Sequence, residues 1–430
     1  MGFVLNPYDR CVANKMINDK QCTIVWYVDD NKLSHMDQKV LDDILEKMKV
    51  HFGDLTITKG RKHAFLGMNI EIREDGTVSY EMTDQLQEAI DAFGEKIDGH
   101  VTSPANRYLF DTREDTSILL NEDKRATFHK VSAKLLFITK RARPDIETVV
   151  AYLCTRVKAA NEDDWKKLRR VLQWIKQTIH EKRIMGVDSL LDLYTWIDAA
   201  YAVHPNMRSH TGGCMSFGRG MVHCRSSKQK LNTKSSTEAE LVGVSDYLPF
   251  NIWLTNFMEG QGYKFVSNKL QQDNQSAIRM EKNGRNSCTG NSRHKDIRYF
   301  FVKDRVDKDE IIIEYCPTEL MIADYFTKAL QGKAFKKMWN VIMGRTHINS
   351  LRSESHLNAP IKERVEKQVF GKVSENLNVL KDEPQRRREY DINIEKKEEK
   401  GKVIKWSDIV KGTKMNGGKE KIMSGRKKKI

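Results

Sequence analysis

Apolar periodicity runs densely through this chain until about residue 345 and then stops. Beyond it the sequence reads KDEPQRRREY, EKKEEKGK and GGKEKIMSGRKKKI. Such a stretch buries too little apolar surface to offset the entropy of ordering a chain. A core must therefore come from the part before the break, which leaves room for two or three domains at about 100 to 200 residues each. Residues 333–430 are expected to form a basic, mostly disordered tail. The stretch after about residue 345 holds about three-fifths of the net charge of +15, a block distribution typical of interaction segments. Arg386 to Arg388 and Arg426 to Lys429 suit nuclear import or RNA binding, and equally a solvated tail.

Several classes are excluded early. No apolar run approaches the roughly 18 residues of a membrane span, so a membrane partner is not expected. The opening MGFVLNPYDR lacks the basic-then-apolar layout of a secretory signal, and the seven cysteines are scattered without a CxxC pair. A disulfide scaffold and a classical zinc finger are thereby disfavoured. Neither a G-x-S-x-G elbow nor a P-loop occurs, which argues against serine hydrolases and nucleotide-driven motors. The positive charge favours nucleic acid, an intracellular partner, without choosing between a cytoplasmic particle and the nucleus.

The patterning predicts a multidomain α+β and α/β protein. CTIVWYVDD is a β-rich run, and Val40, Leu41, Ile44, Leu45 and Met48 mark one stripe of a helix over 37–52. HAFLGMNIEI and TVSYEM read as a hairpin turning at Arg73-Glu74-Asp75-Gly76. Helices dominate from about 125 to 180, where Trp165, Leu168, Leu172 and Ile175 form an apolar face. Lys166, Arg169 and Arg170 crowd the other faces of that helix, either tracking phosphates or simply solvated. Strands and helices alternate again over 190–330.

Two sets of acids stand out. Asp29 and Asp30 end the apolar strand Ile24–Val28, where a hairpin could present paired carboxylates to Mg²⁺; an ordinary Asp-Asp turn is the plain alternative. Further on, Asp198 ends the strand LYTWIDAAY, and Glu240 lies on a helix capped by Ser235 and Ser236. Asp273 sits at a strand-to-helix junction and Asp324 on a late helix. Spacing alone does not join these four, because a chain with 59 acidic residues offers many such sets. They converge only if one mixed sheet brings strand ends together beside two helices.

The surrounding words carry a resemblance. YVDD, FLGMNI at Phe65 to Ile70, Ser103-Pro104 and RARPDI at Arg141 to Ile146 resemble, in order, the reverse transcriptase of Ty/copia-type LTR retrotransposon Pol polyproteins. IDAAY, SSTEAEL, DNQSA and ADYFTKAL resemble the four carboxylate motifs of the RNase H domain of the same family. The resemblance implies a truncated reverse-transcriptase palm over 1–105, a helical thumb or connection over 106–188 and an RNase H-like mixed-sheet domain over 189–332, followed by the tail. It implies that Asp198, Glu240, Asp273 and Asp324 hold two Mg²⁺ or Mn²⁺ ions and hydrolyse the RNA strand of an RNA/DNA hybrid. It makes Asp29 and Asp30 two of three polymerase carboxylates, the third lying in the family on a strand upstream of Met1, so autonomous DNA synthesis is not expected. Arg208, Ser209 and Thr211 resemble a stretch that contacts the hybrid backbone, with a structural strand start as the alternative. His294 resembles a family histidine and is left out of the catalytic set. The partners implied are RNA/DNA hybrid, RNA, DNA and other parts of a Pol polyprotein. The competing reading is a catalytically inactive or co-opted nucleic-acid-binding relic, whose apolar faces near Val25 to Val28 and Phe65 to Ile70 would lie uncovered.

Overall fold

In a computed structural model of the chain, residues 1–112, 117–284 and 301–351 are described, with the backbone of one further strand at 388–393. His294 and most of the tail, including Arg426 to Lys429, lie outside the described residues. No described helix is long and apolar enough to cross a membrane.

The first unit is an antiparallel meander of β1 (Val4–Leu5), β2 (Val12–Ile17), β3 (Lys20–Tyr27) and β4 (Asp30–His35), followed by α1 (Gln38–Phe52) and β5 (Thr56–Gly60). Alternation along β3 turns Cys22, Ile24 and Trp26 inward. They meet Leu41, Ile44, Leu45 and Met48, the expected stripe of α1, in one core. Asp37 caps α1, its carboxylate accepting from the Lys39 N–H at 2.9 Å. Leu33, Ile24, Trp26, Phe65 and Ile70 are all buried, so the expected uncovered apolar faces reduce to Tyr27 and Val28 in the turn.

HAFLGMNIEI, read above as one strand, is itself a hairpin of β6 (Lys62–Phe65) and β7 (Met68–Ile72). Leu66 and Gly67 form its two-residue turn, both at positive φ (53° and 75°). Primed turns of this kind match strand twist, but Leu-Gly is not the Asn-Gly or Asp-Gly signature that reveals them in a sequence. β7 then pairs with β8 (Val78–Glu81) across the anticipated turn.

Helices α2 (Thr83–Asp91), α3 (Glu122–Thr139), α4 (Glu147–Arg156) and α5 (Glu162–Gln177) follow, then β9 (Arg183–Val187). A mixed sheet comes next, built from β10 (Asp192–Ala200), β11 (His210–Ser216), β13 (His223–Lys228), β14 (Ser267–Gln272) and β15 (Ile312–Tyr315) in the order β13-β11-β10-β14-β15. β13, β11 and β10 are antiparallel, whereas β14 and β15 run parallel to β10. The short β12 (Gly218–Arg219) joins β9 in the sheet β12-β9-β8-β7-β6. The long α6 (Ser236–Gly260) covers one face of the mixed sheet, where Val244, Tyr247 and Leu248 pack on Ile197, Met215 and Leu270. α7 (Gln275–Asn283) and α8 (301–307) lie between β14 and β15. The other face receives α4 and α5 together with α9 (Asp324–Thr327) and α10 (Gly332–Ile342).

Packing links these elements across distant parts of the chain. One continuous core runs from Met82 to Leu351, combining the helices of 106–188 with Trp196, Cys214 and Cys224 of the mixed sheet. Residues 82–105 belong to it rather than to the first unit. So do Phe335, Met338, Trp339 and Ile342 of α10, residues assigned above to the tail. Hydrophobic periodicity marks which residues face inward without saying which face meets which.

The hub of this core is Asp145 in RARPDI. It takes two hydrogen bonds of 2.8 Å from the Arg143 guanidinium, both side chains being 0% exposed. The indole N–H groups of Trp174 and Trp339 donate to its Oδ2 at 3.0 and 3.3 Å. Burial opposes ionisation, yet Arg143 and the two indoles hold the Asp145 carboxyl below the usual range. The tail strand β16 (Arg388–Asn393) completes the first sheet, in the order β1-β2-β3-β4-β16-β5.

Candidate metal centre

Four separate elements bring the four acids of 198–324 to one place. Asp198 lies near the end of β10, opposite Gly212 of β11. Glu240 sits in the second turn of α6, whose N-cap Ser235 accepts from the Glu238 N–H at 3.1 Å. Asp273 occupies the junction of β14 and α7, and Asp324 opens α9. Carboxylate oxygens of Asp198, Glu240 and Asp273 all lie within 4.8 Å of one another. Glu238, in the first turn of the same helix, accepts from the Lys234 N–H at 2.8 Å and helps form the helix start.

The site has further residues that the motif reading did not single out. Lys328 reaches back one helical turn to Asp324 Oδ1 at 2.7 Å and lies 3.7 Å from Asp198 Oδ2. The Thr327 hydroxyl donates to Asp198 Oδ2. Gln272 donates to Glu240 Oε2 at 3.4 Å, and Thr318 to Asp273 Oδ2 at 3.3 Å. Thr327 and Lys328 stand inside ADYFTKAL, and the four-residue spacing of Lys328 from Asp324 was the available signal.

Burial first, and then the neighbouring carboxylates, disfavour charge at this centre. Burial beside Asp198 and Asp273 raises Glu240 well above the ordinary carboxyl range. Asp273 is raised by burial and by Asp198. Asp324 is pushed up to about 7 by burial and by Asp198. Burial would lower Lys328, but Asp198 and Asp324 together hold its ammonium above the usual lysine range. Such a set, short of positive charge, fits a divalent cation: hard carboxylate oxygens from separate elements are its usual ligands.

Close packing sets where Asp324 stands. A Cβ on Gly212 would fall 2.7 Å from Phe326 Cβ and from Thr327 Cγ2, so glycine alone lets α9 lie against β11. Gly213 leaves similar room for the ring of Tyr247.

The other site residues fare differently. Ser209 and Thr211 are buried hydroxyls rather than surface contacts. Ser209 shares a 2.8 Å hydrogen bond with Thr233 and accepts from the Ala202 N–H, while Thr211 accepts from Gln229 Nε2 at 3.0 Å. Arg208, half-buried, precedes them. On α5, Arg169 binds Glu95 at 3.0 Å and the Lys96 carbonyl, and Arg170 donates to the Ser103 carbonyl at 3.1 Å. Their guanidinium groups thus tie the 95–103 segment to α5, leaving Lys166 the exposed member of the three. Asp29 and Asp30 lie half-buried at the β3–β4 turn, next to Val28 at φ 55°. Among the described residues no third carboxylate joins them in a metal-ligating group.

No family model matches the chain, and no solved structure does. Curated relatives are found at low identity. The retrovirus-related Pol polyprotein from transposon TNT 1-94 of Nicotiana tabacum is 23% identical over 335 residues, covering 76% of this chain and 25% of the relative. The Gag-Pol polyproteins of transposons Ty1-DR6 and Ty1-BR of Saccharomyces cerevisiae are each 22% identical, covering 76% of this chain and 19% of each relative. The chain thus spans a quarter or less of the length of these relatives. Its homologues are Ty1/copia-type and TNT retrotransposon Pol polyproteins.

Proposed function

We propose that this chain is a retroelement-derived nuclease whose mixed-sheet unit is RNase H-like and hydrolyses the RNA strand of RNA/DNA hybrids. The observation that carries the reading is the convergence of Asp198, Glu240 and Asp273 within 4.8 Å, with Asp324 joined to them through Lys328. Asp198, Glu240, Asp273 and Asp324 would hold the divalent ions. Bound there, two Mg²⁺ or Mn²⁺ ions would supply an activated water and stabilisation of the leaving 3′ oxygen. The residues do the positioning. β10 and α6 fix Asp198 and Glu240, Thr327 orients Asp198, and Gln272 orients Glu240. Selection of the RNA strand would rest on its 2′-hydroxyls and the shape of the hybrid rather than on base identity.

Asp29 and Asp30 stand as a pair, and catalysis of nucleotide addition through two metal ions needs a fuller ligand set than the described residues provide. The test is incubation of the protein with a labelled RNA/DNA hybrid and Mg²⁺ beside Asp198→Asn. Cleavage by the parent, reduced in the variant by a factor on the order of 100 or more, is the expected result. RNA left whole by both proteins would replace this reading with that of a nucleic-acid-binding relic.

A further inference from the structure

The sheet of the first unit is assembled from two distant parts of the chain. β4 and β5 are joined through α1 and share no ladder; the strand between them is β16. β16 pairs antiparallel with both, setting Arg388 opposite His35 and Asn393 opposite Asp30 on one side, and Glu389 opposite Gly60 and Asn393 opposite Thr56 on the other. Take β16 away, and the inner edges of β4 and β5 each lose their row of backbone partners, the exposed-edge condition that natural sheets avoid.

The occupant matches the slot in pattern as well as in length. Within REYDIN, Tyr390 and Ile392 alternate with Glu389, Asp391 and Asn393, the period of a strand with one apolar face. The register sets Tyr390 opposite Leu33, which is 0% exposed, and Ile392 opposite Ile57, which packs against the first core. Positions 390 and 392 therefore share the sheet face on which that core forms. A one-residue slip would exchange the apolar and polar positions, so this register is specified.

We propose that the gap between β4 and β5 is a strand-accepting site, that this chain's own segment Arg388–Asn393 is its occupant, and that this clasp holds the first unit closed. The tail thus has a folded role that its composition conceals, and the first unit depends on a segment made after the whole of the main core.

Hydrogen exchange on the full chain tests this. Successive N–H groups of a central strand point to alternate neighbours, so Tyr390→Pro with Asp391→Pro removes one ladder bond on each side of β16. Amides of β4 and β5 should then exchange roughly tenfold or more faster, while those of β10 and β14 keep their protection. A synthetic peptide of residues 386–395, added in excess, should restore protection to β4 and β5. Unchanged exchange in the double variant overturns the proposal. So does a loss that spreads to β10 and β14, or one that the peptide does not reverse.

Discussion

Gly212→Ala is the sharpest probe of how the fold holds its acids. The position lies in strand β11, directly opposite Asp198, and its backbone is outside the left-handed region, so the substitution tests space alone. The added methyl would lie 2.7 Å from Phe326 Cβ and 2.8 Å from the Phe326 carbonyl carbon. Ordinary carbon contacts need about 3.5 to 4.0 Å, and since backbone is among the atoms met, the whole of α9 must retreat by about 1 Å. Overpacking of this kind costs about 1–3 kcal/mol. The retreat also draws the Thr327 hydroxyl from Asp198 and carries Asp324 with it, and a misplacement of about 1 Å at a reacting centre lowers rates on the order of 100-fold. The control is Gly243→Ala on α6, whose methyl would meet Ala199 Cβ at 3.4 Å and Thr211 Oγ1 at 3.5 Å, ordinary contacts. In a helix that change is neutral or stabilising by up to about 1 kcal/mol. Denaturant unfolding, Mn²⁺ titration calorimetry and hybrid cleavage should all separate the two variants. Parental behaviour of Gly212→Ala, or equal damage from Gly243→Ala, would refute the reasoning.

Three further outcomes follow from the same geometry. Asp145→Ala strands the buried Arg143 charge and two indole donors and should cost about 3–5 kcal/mol of unfolding free energy, with Arg143→Met/Asp145→Leu costing less than the sum of its parts; a loss under about 1 kcal/mol for Asp145→Ala would show that the hub is not structural. Lys328→Met removes the ammonium that competes for Asp198 and Asp324 and, allowing for its partial exposure, should tighten Mn²⁺ binding on the order of tenfold, while equal or weaker binding in calorimetry would deny it that role. Because Asp324 is raised from 3.8 to about 7, and Glu240 is raised as well, the folded site keeps protons between those values that a cation must displace. Mn²⁺ affinity should therefore climb as pH rises through about 7 with protons released into buffer, and a flat affinity from pH 5 to 8 would contradict the assignment.

The legible parts of this chain were those written in local pattern. The α1 stripe, the turn at Arg73 to Gly76, the Ser235 cap and the junction at Asp273 all depend on neighbours within a few residues, and each lies where its pattern placed it. The convergence of Asp198 with Glu240 and Asp273 was reached through the wording of their motifs, since nothing in spacing fixes strand order. What stayed hidden was long-range. Arg169 and Arg170 looked like solvent or phosphate contacts because the acid and carbonyls they grip lie in the 95–103 segment, on a different part of the chain. Ser209 and Thr211 looked like contacts to a nucleic-acid backbone because a short polar word does not reveal that a sheet will bury it. The glycines at 212 and 213 gave no hint that a helix and a tyrosine ring would press on them.

The Asp145 hub also fixes an order of events in time. Its carboxylate is reached by Trp174 within the same helical region, but the second indole arrives from Trp339, 194 residues later. A growing chain emerges N-terminal end first. The central helices must therefore wait, with Phe128, Val149 and Leu172 provisionally packed, until α10 has left the ribosome and can seal them. Translation that halts after Asp324 would yield every acid of the candidate metal centre and still no finished interior on which to hold them.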